Sequence, residues 1–316
     1  MRRVALIYNP ASGQHSWSHH AAIDKALLVL RDACVEAKAH ETIAPGSAGV
    51  LAEEAVRRGC DTIIACGGDG TVHEVLQSLV GTTVALGVVP LGTANALAAD
   101  LGLRTSPAKA VRKLLTALPV RVSVGQISYR DETGAKLSRY FTVTAGVGAD
   151  ALFLSRLNPA LKRRIGYPLY LYEGFRVWAR HSFPLFEATF VECDGAQPRV
   201  EEISELLAVR IRNFGGVLNN FIPGATLHHD GLRLVAFKTR SRYSYFRFLL
   251  ATLFGRQTFS RQIEVLDAVS VECHHRNASS QRILVEADGE FLGDLPVRIE
   301  IVPDAITLLI PPNVKP

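Results

Sequence analysis

Three apolar runs in the first third of the chain each stop at a loop of Gly, Pro, Ser, Thr or Asn, and a segment with helical spacing follows each loop. Residues 4–8 end at Asn9-Pro10, residues 62–66 at Gly67-Gly68 and residues 84–89 at Pro90. Ile23, Leu27, Leu30 and Cys34 repeat at helical spacing after the first run, and Val72, Val75, Leu76 and Leu79 after the second. After the third, Ser106-Pro107 opens a helix expected to carry Val111, Leu114, Leu115 and Leu118 on one face. Ser47 opens another helix that ends at Gly59. Strands this short and this continuously apolar are buried on both faces. Alternating with helices, they predict a parallel sheet covered by helices.

The pattern changes near Pro119. Val120, Val122 and Val124 alternate with Arg121, Ser123 and Gly125, and Val297, Ile299 and Ile301 alternate with Arg298 and Glu300. Period two with turn residues between segments predicts an antiparallel, β-rich second domain. Helices are expected to interrupt it near residues 167–180 and 243–254. The expected division is residues 1–119 and residues 120–303.

The 316 residues, 48% of them hydrophobic, suffice for two cores. A formal net charge of +5 favours anionic partners: nucleotides, phospholipid surfaces or nucleic acid. No nucleic-acid-binding module is recognisable, so nucleic acid is not expected as a partner. The five cysteines form no Cys-x-x-Cys pair, which predicts a reducing, cytoplasmic setting. Neither a signal-peptide pattern nor an apolar run near the roughly 18 residues of a membrane span is present.

The chemistry is expected at the loops. Gly67-Gly68-Asp69-Gly70-Thr71 follows a buried strand, and Thr71 with Glu74 fits a capping box at a helix start. Free backbone N–H groups at a helix N-terminus bind phosphate, and glycines let the backbone come close. Asp69 would be repelled by bound phosphate unless a divalent cation lay between them. For this loop alone, a plain strand-to-helix turn remains the alternative. Asn9-Pro10-Ala11-Ser12-Gly13 and Pro90-Leu91-Gly92-Thr93-Ala94-Asn95 also lie between strand and helix, and three such loops at one sheet edge suggest a common nucleotide site. None is a Walker A loop or a Rossmann fingerprint.

These blocks, with Asp288-Gly289-Glu290, resemble the diacylglycerol kinase catalytic family, which includes sphingosine and ceramide kinases and bacterial soluble lipid kinases. The Gly-Asp block alone is shared with NAD kinases and phosphofructokinases; the ordered set of four is more specific. The resemblance covers almost the whole chain. It implies an N-terminal three-layer α/β nucleotide domain, a C-terminal β-sandwich, a return of residues 304–316 to the first domain, and an active site in the interdomain cleft. ATP and Mg²⁺ are implied as cofactors. Asn9, Ser12, Gly13, Gly67, Gly68, Gly70, Thr71, Thr93 and Asn95 are implied around the nucleotide phosphates, with Thr42 touching nucleotide. Asp69 is implied to handle Mg²⁺, and Asp288 to be the general base with Glu290 beside it. A structural Mg²⁺ site is implied at an Asp-Gly turn of the second domain, here Asp230 and Leu232, although Leu227 stands where a polar residue is often seen.

Read without the resemblance, Asp288-Gly289 between two apolar runs favours a hairpin turn. Ala96 and Ala99 stand where many bacterial lipid kinases have Asp and Arg, and resemble the sphingosine- and ceramide-kinase form. The expected activity is ATP-dependent phosphorylation of a lipid hydroxyl, diacylglycerol-like or sphingoid. A catalytically silent nucleotide- or lipid-binding homologue is one alternative. A NAD kinase-like enzyme is another, but its Thr-Pro-Thr-Gly-Ser-Thr-Ala-Tyr-like block is absent. A lipid acceptor predicts peripheral, reversible docking on anionic membrane. Two segments mix cations with aromatics: residues 156–180, with Lys162, Arg163, Arg164 and Arg176, and residues 238–261, with Arg240, Arg242, Arg247 and Arg256. The alternative for each is a core aromatic face with solvated cations. A homodimer is left open.

Overall fold

The computed structural model describes residues 1–13, 19–131, 133–156, 167–214, 222–253, 261–276, 281–312 and 314. The chain forms two compact units. The first comprises Met1–Val124, Asn213–Gly215 and Pro303–Pro316, and the second Gly125–Arg212 and Gly216–Val302.

In the first unit strands and helices alternate: β1 (Arg3–Tyr8), α1 (His19–Asp32), β2 (Glu36–Glu41), α2 (Ser47–Arg57), β3 (Thr62–Gly67), α3 (Asp69–Leu79), β4 (Ala85–Pro90), α4 (Ala96–Asp100) and α5 (Pro107–Leu115). The strands are parallel in the order β2-β1-β3-β4, and Thr307 and Leu308 near the chain's end add parallel to β4. Every residue of β3 is buried. Helices α1 and α5 pack together, as do α2 and α3. Right-handed crossovers place the two pairs on opposite faces. From β1 the chain steps outward to β2, then returns across β1 to β3. The loops leaving β1 and β3 therefore diverge at a switch point, the place where such sheets bind ligands.

Two local expectations change. The capping box does not form, because α3 starts earlier, with Gly68 as N-cap and no side-chain cap bond. Glu74 instead reaches α2, accepting from the Gly46 and Ala48 N–H groups at 2.8 and 3.0 Å. Leu118 is exposed rather than on the α5 face, because β5 begins at that residue.

The second unit is antiparallel: β5 (Leu118–Arg130), β6 (Lys136–Phe141), β7 (Thr144–Val147), α6 (Ala149–Arg156), α7 (Tyr167–Arg180), β8 (Phe186–Glu192), β9 (Arg199–Ile203), β10 (Glu205–Val209), β11 (Leu232–Phe237), α8 (Arg242–Leu253), β12 (Ile263–His275), β13 (Leu284–Ala287), β14 (Glu290–Asp294) and β15 (Val297–Ile310). Strands β14-β13-β7-β10-β11-β12 are neighbours in that order. Strand β12 pairs first with β11 and then with β15, while β8 lies against it across an irregularity at Ala268/Ser270. Phe186, Ala188 and Phe190 alternate with outward residues along β8 and enter a core with Leu206, Leu234, Val271 and Ile299. The α/β unit and the β-sandwich-like unit agree with the expected fold class, and α7 and α8 fall where helices were expected. Helix α6 was not expected. It is one short segment without a strong apolar stripe, and its start is held by a side chain distant in sequence, described below.

Candidate active site

Strands β1, β3 and β4 of the first unit end at one edge, and their loops touch through backbone. Leu91 and Gly92 N–H groups donate to the Gly67 carbonyl at 2.8 and 3.2 Å, and Asn9 N–H donates to the Cys66 carbonyl at 3.0 Å. A Cβ on Gly13 would lie 2.4 Å from the Leu91 oxygen, and one on Gly92 would lie 2.5 Å from the Gly68 Cα. Gly13 also has φ +66°, so glycine is needed there for both space and conformation. Such contact gathers the three loops at the α3 N-terminus, whose first backbone N–H groups are suited to an anion. Ser12, Gly68 and Thr93 belong to these loops, Gly67 is the last residue of β3 and Gly70 lies in the first turn of α3. Thr42 is further along the same edge, its N–H donating to the Tyr8 carbonyl at 2.9 Å.

Several of these side chains turn out to be structural. Asn95 adopts φ +51° and clamps its own loop: Gly92 N–H donates to its Oδ1 at 2.9 Å, and its Nδ2 donates to the Gly92 carbonyl at 2.7 Å. Thr71 is buried against Gly67, where a Cβ would meet its Oγ1 at 2.3 Å. Asn9 Oδ1 accepts from Ala11 N–H at 2.9 Å. Asp69 is half-buried and joins two loops: Asn95 N–H donates to its Oδ2 at 3.0 Å and Ala96 N–H to its Oδ1 at 2.7 Å. Ala96 therefore contributes its amide to Asp69, a role that does not depend on its side chain.

In the second unit, Asp288 and Gly289 are the two turn residues between β13 and β14, with φ +49° and +86°. This is the two-residue hairpin with both central residues left-handed that Asp-Gly favours. The Asp288 carboxylate also accepts three amides: Thr142 N–H to Oδ2 at 3.0 Å, and Val143 and Thr144 N–H to Oδ1 at 2.8 and 3.0 Å. Glu290 opens β14 and is exposed. Behind the turn, Glu286 Oε2 accepts from Gly289 N–H at 2.8 Å.

Comparison with known proteins identifies the frame that carries these loops. Residues 3–127 match the diacylglycerol kinase catalytic domain, and residues 142–310, more than half the chain, match the YegS C-terminal NAD kinase β-sandwich-like domain. The chain is 30% identical to a diacylglycerol kinase of Mycobacterium tuberculosis (strain H37Rv) over 83% of this chain and 80% of that one. This chain belongs to the diacylglycerol kinase catalytic family, a family of lipid kinases. It is also 28% identical to the diacylglycerol kinase of Bacillus subtilis over 94% of this chain and 92% of that one. The crystal structure of a diacylglycerol kinase from Bacillus anthracis superposes with a TM-score of 0.71 at 21% identity, covering 99% and 98% of the two chains.

Sequence reasoning missed a group of acids that supports the turn of this lipid kinase. Glu205, at the start of β10, accepts from Ala149 and Asp150 N–H at 2.5 and 2.9 Å, so it caps α6. Glu286 is fully buried on β13, opposite Gly146 of β7. A Cβ on Gly146 would lie 2.6 Å from Asp150 Oδ2 and 3.1 Å from Glu286 Oε1, so the glycine leaves room for these two carboxyls to face each other. Burial pushes the Asp150 carboxyl up to about 6, against the opposing pull of its bond with Glu286. Glu286 is raised well above the carboxylate range by burial and then by the Asp150 charge, and Glu205 likewise by burial and Asp150. The signal in the sequence was a single Glu in an otherwise apolar strand, inside β13 at Glu286 and at the start of β10 at Glu205.

The two metal expectations fare differently. At Asp69 one half-buried carboxylate stands at the α3 N-terminus, and a single carboxylate is a donor that suits Mg²⁺, which takes one or two carboxylates plus phosphate and water. The Asp230-Gly231 turn does not fit a second cation. The Arg210 guanidinium, 1% exposed, donates Nη1 to the His229 and Gly231 carbonyls at 3.0 and 2.5 Å and Nη2 to the Leu227 carbonyl at 3.3 Å. Asp230 lends it favourable charge. A fixed positive charge thus already sits on the carbonyls of this turn, beside the place where a second cation was expected at Asp230 and Leu232.

Proposed function

We propose that this lipid kinase transfers the γ-phosphoryl group of ATP, with Mg²⁺, to the hydroxyl of a diacylglycerol-like or sphingoid acceptor. The observation that carries the reading is the close backbone contact of the Gly13 and Gly92 loops with Leu91 and Gly68 at the ends of β1, β3 and β4, where a side chain on Gly13 or Gly92 would push the loops apart. Phosphoryl transfer needs positioning and charge neutralisation more than covalent help. Amides of these loops and of the α3 N-terminus hold phosphate oxygens, with Ser12, Thr71 and Thr93 bordering them and Thr42 nearer the nucleoside. Asp69 orients the cation side of the phosphates while its amide bonds keep the third loop in place. Mg²⁺, when bound, neutralises charge on the phosphate oxygens. Asp288 takes the proton of the acceptor hydroxyl, held in one orientation by three amides and by the turn that Glu286 supports. Glu290, exposed on the same hairpin, is assigned to acceptor contact.

The acceptor comes from a membrane, and no described helix is long and apolar enough to cross one. The reading therefore includes peripheral docking on anionic lipid through α7 and α8. Tyr172, Phe175, Tyr243 and Phe246 are exposed there, while Tyr245 and Phe248 pack on Phe237. Trp178 stacks between Phe175 and Phe246 at 5.6 and 5.8 Å and donates Nε1–H to the Arg242 carbonyl at 2.9 Å. Arg180, Arg242 and Arg247 are exposed on the same two helices. Cations near such a surface contribute about 1 kcal/mol each. Lys162, Arg163, Arg164 and Arg256 lie outside the described residues.

The test is transfer of labelled phosphate from ATP to a panel of diacylglycerol, monoacylglycerol, ceramide, sphingoid base and NAD, with and without Mg²⁺. Mg²⁺-dependent label in one lipid and none in NAD supports the reading. Label in NAD alone, or in nothing, overturns it. Co-sedimentation with neutral and phosphatidylserine-rich vesicles at low and high salt tests docking separately.

A further inference from the structure

The Asp230 turn is built like a cation site, yet it is filled from inside the protein. Val209 pairs with Arg233 across the β10–β11 ladder, so the next residue, Arg210, reaches the turn that leads into β11. Its own N–H is bound to the Val143 carbonyl at 2.9 Å, which anchors the backbone from which the side chain extends. Carbonyls of Leu227, His229 and Gly231 converge on its guanidinium, and the Asp230 carboxylate faces the same charge. Backbone carbonyls with one carboxylate are the donors a hard divalent cation takes, and Ca²⁺ accepts an irregular set of them more readily than Mg²⁺, which demands near-ideal octahedral geometry. The Leu227 and Gly231 carbonyls are buried with the guanidinium, and a buried carbonyl needs a donor or a cation; the Gly231 carbonyl also lies 3.3 Å from His229 Nδ1. Burial lowers the Arg210 pKa to about 10, which leaves the guanidinium charged at neutral pH.

We propose that the Arg210 side chain is itself the cation of the Asp230 turn, making the second unit's stability independent of divalent metal, and that shortening this side chain opens a latent divalent-cation site. The inference does not rest on the phosphoryl-transfer reading, since it concerns folding alone. It reverses the expectation of a structural Mg²⁺ at Asp230 and Leu232.

The experiment is thermal unfolding of the nucleotide-free full chain in chelator, in calcium chloride and in magnesium chloride. The wild type should unfold at the same temperature in chelator and in calcium. Any small rise from cation bound at Asp69 must survive Asp230→Asn. Arg210→Ala should unfold on the order of 10 °C lower in chelator, since one buried partner is removed and the others are left bare. Calcium should restore at least half of that loss, and the restoration should vanish in Arg210→Ala with Asp230→Asn. Arg210→Lys keeps a charge at the site and should show no calcium response. A calcium-dependent gain in the wild type that Asp230→Asn removes would overturn the proposal. So would an Arg210→Ala chain that unfolds, or fails to fold, equally with and without divalent ions.

Discussion

Replacing Asp288 by Asn separates two roles that the structure places on one side chain. Asn-Gly forms the same left-handed hairpin turn as Asp-Gly, so the backbone between β13 and β14 should survive. The amide contacts should not survive intact. If the Asn oxygen keeps the Val143 and Thr144 N–H groups, its Nδ2 faces the Thr142 N–H, donor against donor. One lost bond with a buried donor left unmet costs about 1–3 kcal/mol. For a domain of this size that lowers the unfolding temperature by about 2–12 °C. A positioned general base contributes about 10²- to 10⁴-fold in rate, or roughly 3–5 kcal/mol of barrier. The assay is initial-rate phosphorylation of the acceptor lipid well below the unfolding transition, with ATP affinity and thermal unfolding measured on the same preparation. The expected result is a folded, ATP-binding variant with turnover down by at least a hundredfold. Turnover within tenfold of wild type, with a lowered unfolding temperature, would refute the base and leave Asp288 as a structural clamp.

Asp69→Asn should abolish transfer at saturating Mg²⁺ and also lower the unfolding temperature, because an amide would oppose the Asn95 or Ala96 N–H; a stable variant with near wild-type turnover would contradict this. Gly92→Ala should weaken ATP binding by more than about tenfold by titration calorimetry, since a Cβ 2.5 Å from the Gly68 Cα pushes the loops apart, and unchanged affinity would show that the loops tolerate the shift. Asp150→Asn bears on pH. The Asp150 carboxyl keeps its proton up to about 6 when folded, against 3.8 as its ordinary value, so the folded state binds more protons in that interval and stability falls as pH rises through it. Urea unfolding at pH 4 and pH 7.5 should show wild type losing about 2–3 kcal/mol relative to the Asn variant, and parallel pH profiles would remove Asp150 from the account.

Much of the frame was legible in the residues. Continuous apolar strands stopped by Gly and Pro, followed by helical spacing, dictate a parallel sheet because each strand must be covered on both faces. Alternation at Val297, Ile299 and Ile301 dictates one buried face in the same local way. The loops that would carry phosphate were also readable, since their position after each strand follows from chain order. What a side chain does once there was less readable. Thr71 and Glu74 have capping-box spacing, yet α3 begins at Asp69 and Glu74 caps α2, a choice settled by where α2 ends up in space.

Sequence alone determined the family, the fold class and the strand-end loops, because those depend on local periodicity and on residue types with special backbone needs. Only the tertiary structure decided which polar groups are partners, because hydrogen bonds join residues far apart in the chain. Asp288 meets Thr142, Val143 and Thr144 only when β7 lies beside β13. Glu205 finds the start of α6, and Glu286 faces Asp150, only because a glycine on β7 leaves room. Asp230 reads as a metal ligand until the fold brings Arg210 beneath it. A buried charge is defined by what surrounds it, and for these residues the surroundings come from strands and turns that the linear sequence keeps apart.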